Sequence, residues 1–133
     1  MANLKIAKDW ISFANTDLIG AKALLDLGEN FLSLAAFHAQ QAAEKSLKGY
    51  LVFNSIRVPK THDIGDLLAL IELKDNHFAE LLKPCLDLTD YAVAYRYPDA
   101  QKIPLERRAV VIAIQQAELA LAESLKRIED KES

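Results

Sequence analysis

The sequence predicts an all-α bundle of four or five helices, and three observations carry that expectation. Apolar residues recur in alternating steps of three and four over most of the chain, the period of a helix with one buried face. No run alternates with the two-residue period of a half-buried strand, and no Asn-Gly or Asp-Gly hairpin turn occurs. Gly and Pro are scarce, 4 of each in 133 residues, so long helices meet few interruptions.

Taken in order, Leu4, Ala7, Ile11, Ala14, Leu18, Ala21 and Leu25 lie along one stripe, which predicts a first helix from about residue 3 to 26. Gly28 suits a helix stop because glycine enters the left-handed region without a Cβ penalty, and Asn30 is placed to cap the next helix. That second helix is expected from about 31 to 54, with an alanine-rich stripe of Leu32, Ala36, Ala39, Ala43, Leu47 and Tyr50 that lets a neighbouring helix come close. Pro59 breaks the chain into a connection over 56–60. Thr61 is then expected to cap a third helix, with Asp63 and Asp66 in its first turn and Ile64, Leu67, Leu68 and Ile71 buried. Leu81, Cys85, Leu88, Ala92 and Tyr95 predict a fourth helix from about 77 to 96, kinked or started by Pro84. Pro98 ends it. Pro104 suits the first turn of a fifth helix, whose stripe of Val110, Ile114, Ala117, Leu121, Leu125 and Ile128 runs to about 129. Leu105, Ala109, Ile112 and Leu119 form a second apolar stripe on this helix, more than one core-facing side needs, and so predict a homodimer.

The length is that of about one domain at the usual ~100–200 residues, so 1–133 reads as a single domain with 130–133 as a frayed tail. A hydrophobic fraction of 51% against 26% charged residues excludes disordered and low-complexity classes. With 16 basic and 19 acidic side chains the formal net charge is −3, which supplies no global field toward nucleic acid or an anionic membrane. Any nucleic-acid binding must come from a local patch. Cys85 is the only cysteine, so no disulfide can form within the chain, a reducing cytoplasm is the natural compartment, and the thiol is expected to be a small buried hydrophobe. Met1–Trp10 carries Lys5, Lys8 and Asp9 and reads as no signal peptide; Phe31–Ala43 is too short for a bilayer crossing, so no membrane association is expected.

Three segments can carry chemistry. His38, Gln41, Lys45 and Lys48 share a face of the second helix, where two ammonium groups, an imidazole and an amide can bind phosphate. The same face can equally be solvated, with Glu44 paired to Lys48 at i, i+4. Pro59-Lys60-Thr61-His62-Asp63 puts a histidine at a helix start, whose exposed N–H groups form an anion site in principle; a local cap or a surface residue is the alternative. In Tyr91–Asp99, three tyrosines surround Arg96: the rings can stack on bases while the guanidinium forks onto phosphate, or Arg96 caps helix carbonyls while Tyr95 packs inward. There is no Gly-rich phosphate loop, nucleophile elbow, H-E-x-x-H or C-x-x-C, and His38, His62 and His77 lack metal-ligand spacing, so neither metal nor cofactor is expected.

Trp10 with Asp17-Leu18, the run His38-Ala39-Gln40-Gln41-Ala42-Ala43-Glu44-Lys45-Ser46-Leu47-Lys48, Thr61-His62-Asp63, and Ala94-Tyr95-Arg96-Tyr97-Pro98-Asp99 together resemble the HEPN (higher eukaryotes and prokaryotes nucleotide-binding) domain family over nearly the whole chain. The resemblance implies an antiparallel bundle that dimerises, is often encoded beside a minimal nucleotidyltransferase, and belongs to toxin–antitoxin-like pairs. Many such proteins are metal-independent ribonucleases with an arginine followed after four to six residues by a histidine. The histidine serves as acid or base on the 2′-OH while the arginine stabilises phosphate charge. Arg96 has the position of that arginine, but Gln101 stands where the histidine belongs, and no histidine follows His77. Arg57 and His62 have four residues between them, yet Pro59 interrupts the segment and it lies upstream, so that spacing reads as coincidence. The expectation is therefore a non-catalytic nucleotide- or RNA-binding module using His62, Arg96, Tyr97, Lys45, Lys48 and Gln41; the alternative is a ribonuclease toxin with His62 and Arg96 as its catalytic pair.

Overall fold

The period-3.6 apolar stripes become helices that close around one another, and the order of burial tells which helix is the axle. In a computed structural model, which describes residues 2–94 and 105–132, six α-helices occur: α1 (Ala2–Leu27), α2 (Leu32–Phe53), α3 (Ile64–Lys74), α4 (Asn76–Leu81), α5 (Tyr91–Ala94) and α6 (Arg107–Glu132). Two 3₁₀ segments join them, Glu29–Phe31 and Lys83–Asp90. No strand occurs among the described residues. The all-α bundle expected from the sequence is the fold, and of the described helices none is long and apolar enough to cross a membrane.

α2 is the axle. Fifteen of its 22 residues are buried, against α1 on one side and α6 on the other. Alanine makes this possible: Ala35, Ala36, Ala39, Ala42 and Ala43 bring three helix backbones close, as the stripe implied. Ala7, Ile11, Ala14, Leu18 and Ala21 of α1 are buried too, as are Val110, Ile114, Ala117, Leu121 and Ile128 of α6. α1 and α2 form an antiparallel hairpin because Gly28, at φ 123°, turns the chain at once into the short 3₁₀ segment. Asn30 does not cap α2; Phe31 occupies the N-cap position and offers no side-chain hydrogen bond.

α3 has 11 residues, too few to stand alone in water, and it is held by Ile64, Leu67, Leu68 and Ile71, each fully buried or nearly so. At about 1.5–3 kcal/mol per buried aliphatic side chain, packing decides its stability. Its cap is Asp63 rather than Thr61: the Asp63 carboxylate accepts from the Gly65 N–H at 2.7 Å. Thr61 instead accepts from the Asp63 N–H and donates to Asp66, so it orders the approach to the helix.

The single helix expected over 77–96 is broken. α4 ends at Leu81, and the chain then tightens into a 3₁₀ segment with Pro84 in its first turn before α5 begins. The missing proline N–H and ring favour that tighter turn over a continuous α-helix. The change of pitch rotates the buried side, so Leu82 is fully buried while Leu81, named by the stripe, is 37% exposed. Cys85, Leu88 and Ala92 are buried as expected, and Tyr95, Pro98 and Pro104 lie outside the described residues. α6 continues to Glu132, beyond the expected end near 129. On its second stripe Leu105, Ala109 and Leu119 are half-buried and only Ile112 is exposed, whereas the apolar side chains most open to solvent on the helical hairpin are Phe13, Ile19 and Leu27 of α1.

Candidate functional site

α2 carries polar side chains into positions that its alanines would otherwise leave to the core, and the buried charge has to be satisfied there. Glu44 is the centre. Its side chain is only 4% exposed. Oε1 accepts from Gln40 Nε2 at 3.0 Å and lies 3.0 Å from His62 Nδ1, and Oε2 accepts from Lys48 Nζ at 2.8 Å. Burial alone would push this carboxyl up, but the hydrogen bonds from Lys48, Gln40 and His62 outweigh it and hold the group below the usual carboxylate range. An ionised carboxylate only accepts, so His62 Nδ1 carries the hydrogen and donates it to Glu44. The imidazole is 59% exposed, which leaves Nε2 on the solvent side. Gln40 also donates to the His62 backbone carbonyl at 3.1 Å, and Gln41 donates to Gln40 Oε1 at 2.7 Å. The segment before α3 is thus bolted to the middle of α2 through one glutamine and one glutamate.

A second carboxylate repeats the arrangement with α1. Asp17 accepts from Lys45 Nζ at 2.6 Å through Oδ2 and meets His38 Nδ1 at 2.9 Å through Oδ1. Both lysines of the face read from the sequence are therefore already paired with acids. The Glu44–Lys48 pair at i, i+4 exists, but it is buried, whereas the solvated-face reading placed it in water. Lys48 also lies 5.8 Å from the centre of the Trp10 ring.

The expected anion site at the start of α3 is filled by the chain itself. Ile64 N–H donates to Thr89 Oγ1, Gly65 N–H to Asp63, and Asp66 N–H to the Asp63 carbonyl, which consumes the first-turn donors. His62 is the polar group at that junction that remains open to solvent on a fixed support. Lys45, Lys48 and Gln41 lie on α2 and His62 on the segment docked against it, with Lys45 bonded to Asp17 and the other three in the separate network around Glu44. Arg96, Tyr97, Asp99 and Gln101 lie outside the described residues.

Sequence reasoning missed Glu44 as the organising group, and with it Gln40 and Asp17. A signal was present: Gln40, Glu44 and Lys48 repeat every four residues along a helix side otherwise built of Ala and Leu, and Asp17 adjoins the buried Ala14–Leu18–Ala21 stripe. Among the described residues no group of three or more His, Cys, Asp or Glu side chains is arranged to hold a metal ion. Cys85 is buried, with a thiol pushed up to about 12 by burial and by the Asp87 charge, and takes no part in this chemistry.

The model of the HEPN domain matches residues 7–128, a span that contains the Asp17 and Glu44 clusters, His62 and the described helices apart from their outermost turns. The crystal structure of TT1696 from Thermus thermophilus is similar at 34% sequence identity with a TM-score of 0.79, covering 90% of this chain and 96% of that one. A search of curated proteins returned no match. With the family model spanning nearly the entire helical bundle and a solved structure sharing both its course and a third of its residues, the chain belongs to the HEPN domain family.

Proposed function

We propose that this HEPN-family chain is a single-domain, non-catalytic binding module for a phosphate-bearing ligand, a nucleotide or RNA. His62 is its central contact, Arg96 and Tyr97 are further ligand contacts, and Lys45, Lys48 and Gln41 hold the supporting face. The observation that carries the reading is the His62–Glu44–Lys48 relay: a buried carboxylate neutralised by a buried ammonium fixes an exposed imidazole whose Nε2 faces solvent. Protonated, that nitrogen donates to a phosphate oxygen from a pre-ordered position, so little ordering entropy is lost on binding. The module acts as a cytoplasmic homodimer and as the partner of a minimal nucleotidyltransferase in a toxin–antitoxin-like pair. Exposed Phe13, Ile19 and Leu27 on α1 supply apolar area for contact with a second copy.

Anisotropy of a fluorescein-labelled single-stranded RNA tests the site: His62→Ala is expected to weaken binding about tenfold, the scale of one hydrogen bond to a charged group. Equal binding by parent and variant overturns the reading. Sedimentation at micromolar concentration is expected to give a dimer, and a clean monomer removes that part.

One observation favours a second reading. A carboxylate that orients Nδ1 and leaves Nε2 free is also the arrangement of a general acid–base histidine, so a ribonuclease using His62 and Arg96 remains the competing function. Incubating the metal-free protein with a fluorescent RNA beside His62→Ala separates the two: no cleavage is expected, and cleavage that disappears in the variant promotes the enzyme.

A further inference from the structure

Beyond the histidine, an open groove of about 540 Å³ runs between the start of α1 and the segment that leaves α2. Trp10, Val52, Ile56 and Val58 give it apolar walls, and Arg57 supplies its charge. Arg57 is exposed and has no acidic partner among the described residues, and none of the residues lining the groove is acidic. The cavity of about 230 Å³ beside Tyr50 differs on this point, since Asp75 and Asp130 line it and its Arg127 is committed to Asp75 and Glu123. Charge complementarity therefore assigns an anion to the Trp10 groove.

The groove is also built. Gly49 lets α1 and α2 touch at this point, because a Cβ there would stand 3.1 Å from Trp10 Cβ and 3.2 Å from the Ala7 carbonyl. The Cβ of Trp10 therefore lies close against the backbone of α2. On the other wall Ser55 holds a left-handed conformation, φ 60°, uncommon for a residue with a side chain, and accepts a hydrogen bond from Asn3 at 2.8 Å. Among the described residues no donor meets the Asn3 amide oxygen. Interior contacts link the groove to the histidine: Lys48 Nζ lies 5.8 Å from the centre of the Trp10 ring and pairs with Glu44, Glu44 meets His62, and four residues of chain stand between Arg57 and His62.

Resting on the phosphate-ligand reading above, we infer that this groove is the base subsite of the same site: a nucleobase stacks on Trp10 between the aliphatic walls, and the attached phosphate pairs with the Arg57 guanidinium. Indole is a sequence-tolerant stacking surface for any base, and arginine matches phosphate with a planar fork. A free nucleotide and a single-stranded RNA present the same base-plus-phosphate unit, so both are probes. Arg57 and Trp10 thus determine what kind of phosphate compound the site accepts, and orthophosphate alone does not fill it.

Trp10 is the sole tryptophan, so its emission reports the groove directly. The full chain is titrated with adenosine 5′-monophosphate, with a six-nucleotide single-stranded RNA and with inorganic phosphate, while anisotropy of the labelled RNA is followed in parallel for parent, Arg57→Ala, Trp10→Leu and His62→Ala. Saturable quenching by the nucleotide or the RNA but not by phosphate is expected, and which of the two acts at lower concentration identifies the source. Arg57→Ala, an exposed position whose loss leaves the fold intact, is expected to bind RNA about tenfold more weakly or worse. Trp10→Leu keeps apolar bulk and is expected to lose about fivefold or more. RNA binding that depends on His62 yet leaves Trp10 emission and the Arg57→Ala affinity unchanged overturns the subsite alone. A parent that binds neither probe in either readout overturns the subsite and the phosphate-ligand reading together.

Discussion

Replacing Glu44 by Gln removes one charge from the centre of the bundle and almost no volume, so it isolates what that charge does. In the parent, Glu44 and Lys48 side chains are 4% and 9% exposed and meet at 2.8 Å. The variant leaves the Lys48 ammonium buried against a neutral amide, and losing one partner of a buried pair costs about 3–5 kcal/mol. Glutamine keeps an oxygen that can still accept from Lys48, which points to the lower end, about 3 kcal/mol. His62 is 59% exposed, so its bond to Glu44 adds little to this sum. For a chain of this length about 4 °C accompanies each kcal/mol, and the melting temperature at pH 7 is expected to fall by about 12 °C. The pH dependence has a defined sign. The Glu44 carboxyl sits below its usual value of 4.5, so its stabilisation is complete above that value and is lost as pH falls through the lowered folded value. Parent and Glu44→Gln should therefore converge in acid. Adding Lys48→Met, which keeps a long apolar chain against Trp10, is expected to restore at least half of the lost stability, since a buried pair exchanged for apolar groups is often neutral. Thermal and urea unfolding followed by circular dichroism measure all the variants beside the parent. A neutral-pH loss under about 0.5 kcal/mol, the range of ordinary surface substitutions, refutes the claim that Glu44 is the electrostatic centre.

Gly49→Ala gains about 1 kcal/mol of helix propensity, yet the new Cβ meets Trp10 and the Ala7 carbonyl; a net loss of about 1–2 kcal/mol by urea unfolding is expected, and a stabilised variant would show that α1 yields at that contact. Asp63→Ala removes the α3 cap and is expected to cost about 1 kcal/mol, whereas Thr61→Val costs less because Thr61 caps nothing; chemical denaturation ranks the two, and the reverse order contradicts the assignment. With a buried thiol pushed up to about 12, native Cys85 is expected to resist a thiol-directed maleimide at pH 8 and to react once the chain is unfolded; prompt modification of the native protein would place the thiol at the surface.

The all-α class, α1–α3 and α6, and most of the core were legible in the amino-acid order because a buried helix stripe leaves a local period, and the residues of a stripe lie within a few positions of one another. Ala7 through Ala21, Leu32 through Tyr50 and Val110 through Ile128 are the buried faces that period names. Family membership was legible for a similar reason, since the His38–Lys48 run, Thr61-His62-Asp63 and their order survive as text. The break of the 77–96 helix was half legible: Pro84 announced a disturbance, but whether it kinks, starts or tightens a helix depends on what Leu82 and Leu88 pack against. The site was where local reading stopped. His62 could be named as a candidate, but Glu44 reaches it across 18 positions and Asp17 reaches Lys45 across 28, and no period in the chain encodes such a meeting. Only tertiary packing, by driving α2 between its neighbours and carrying two carboxylates with it, decided that the lysines would be spent on those acids and that the imidazole of His62 would be left facing outward.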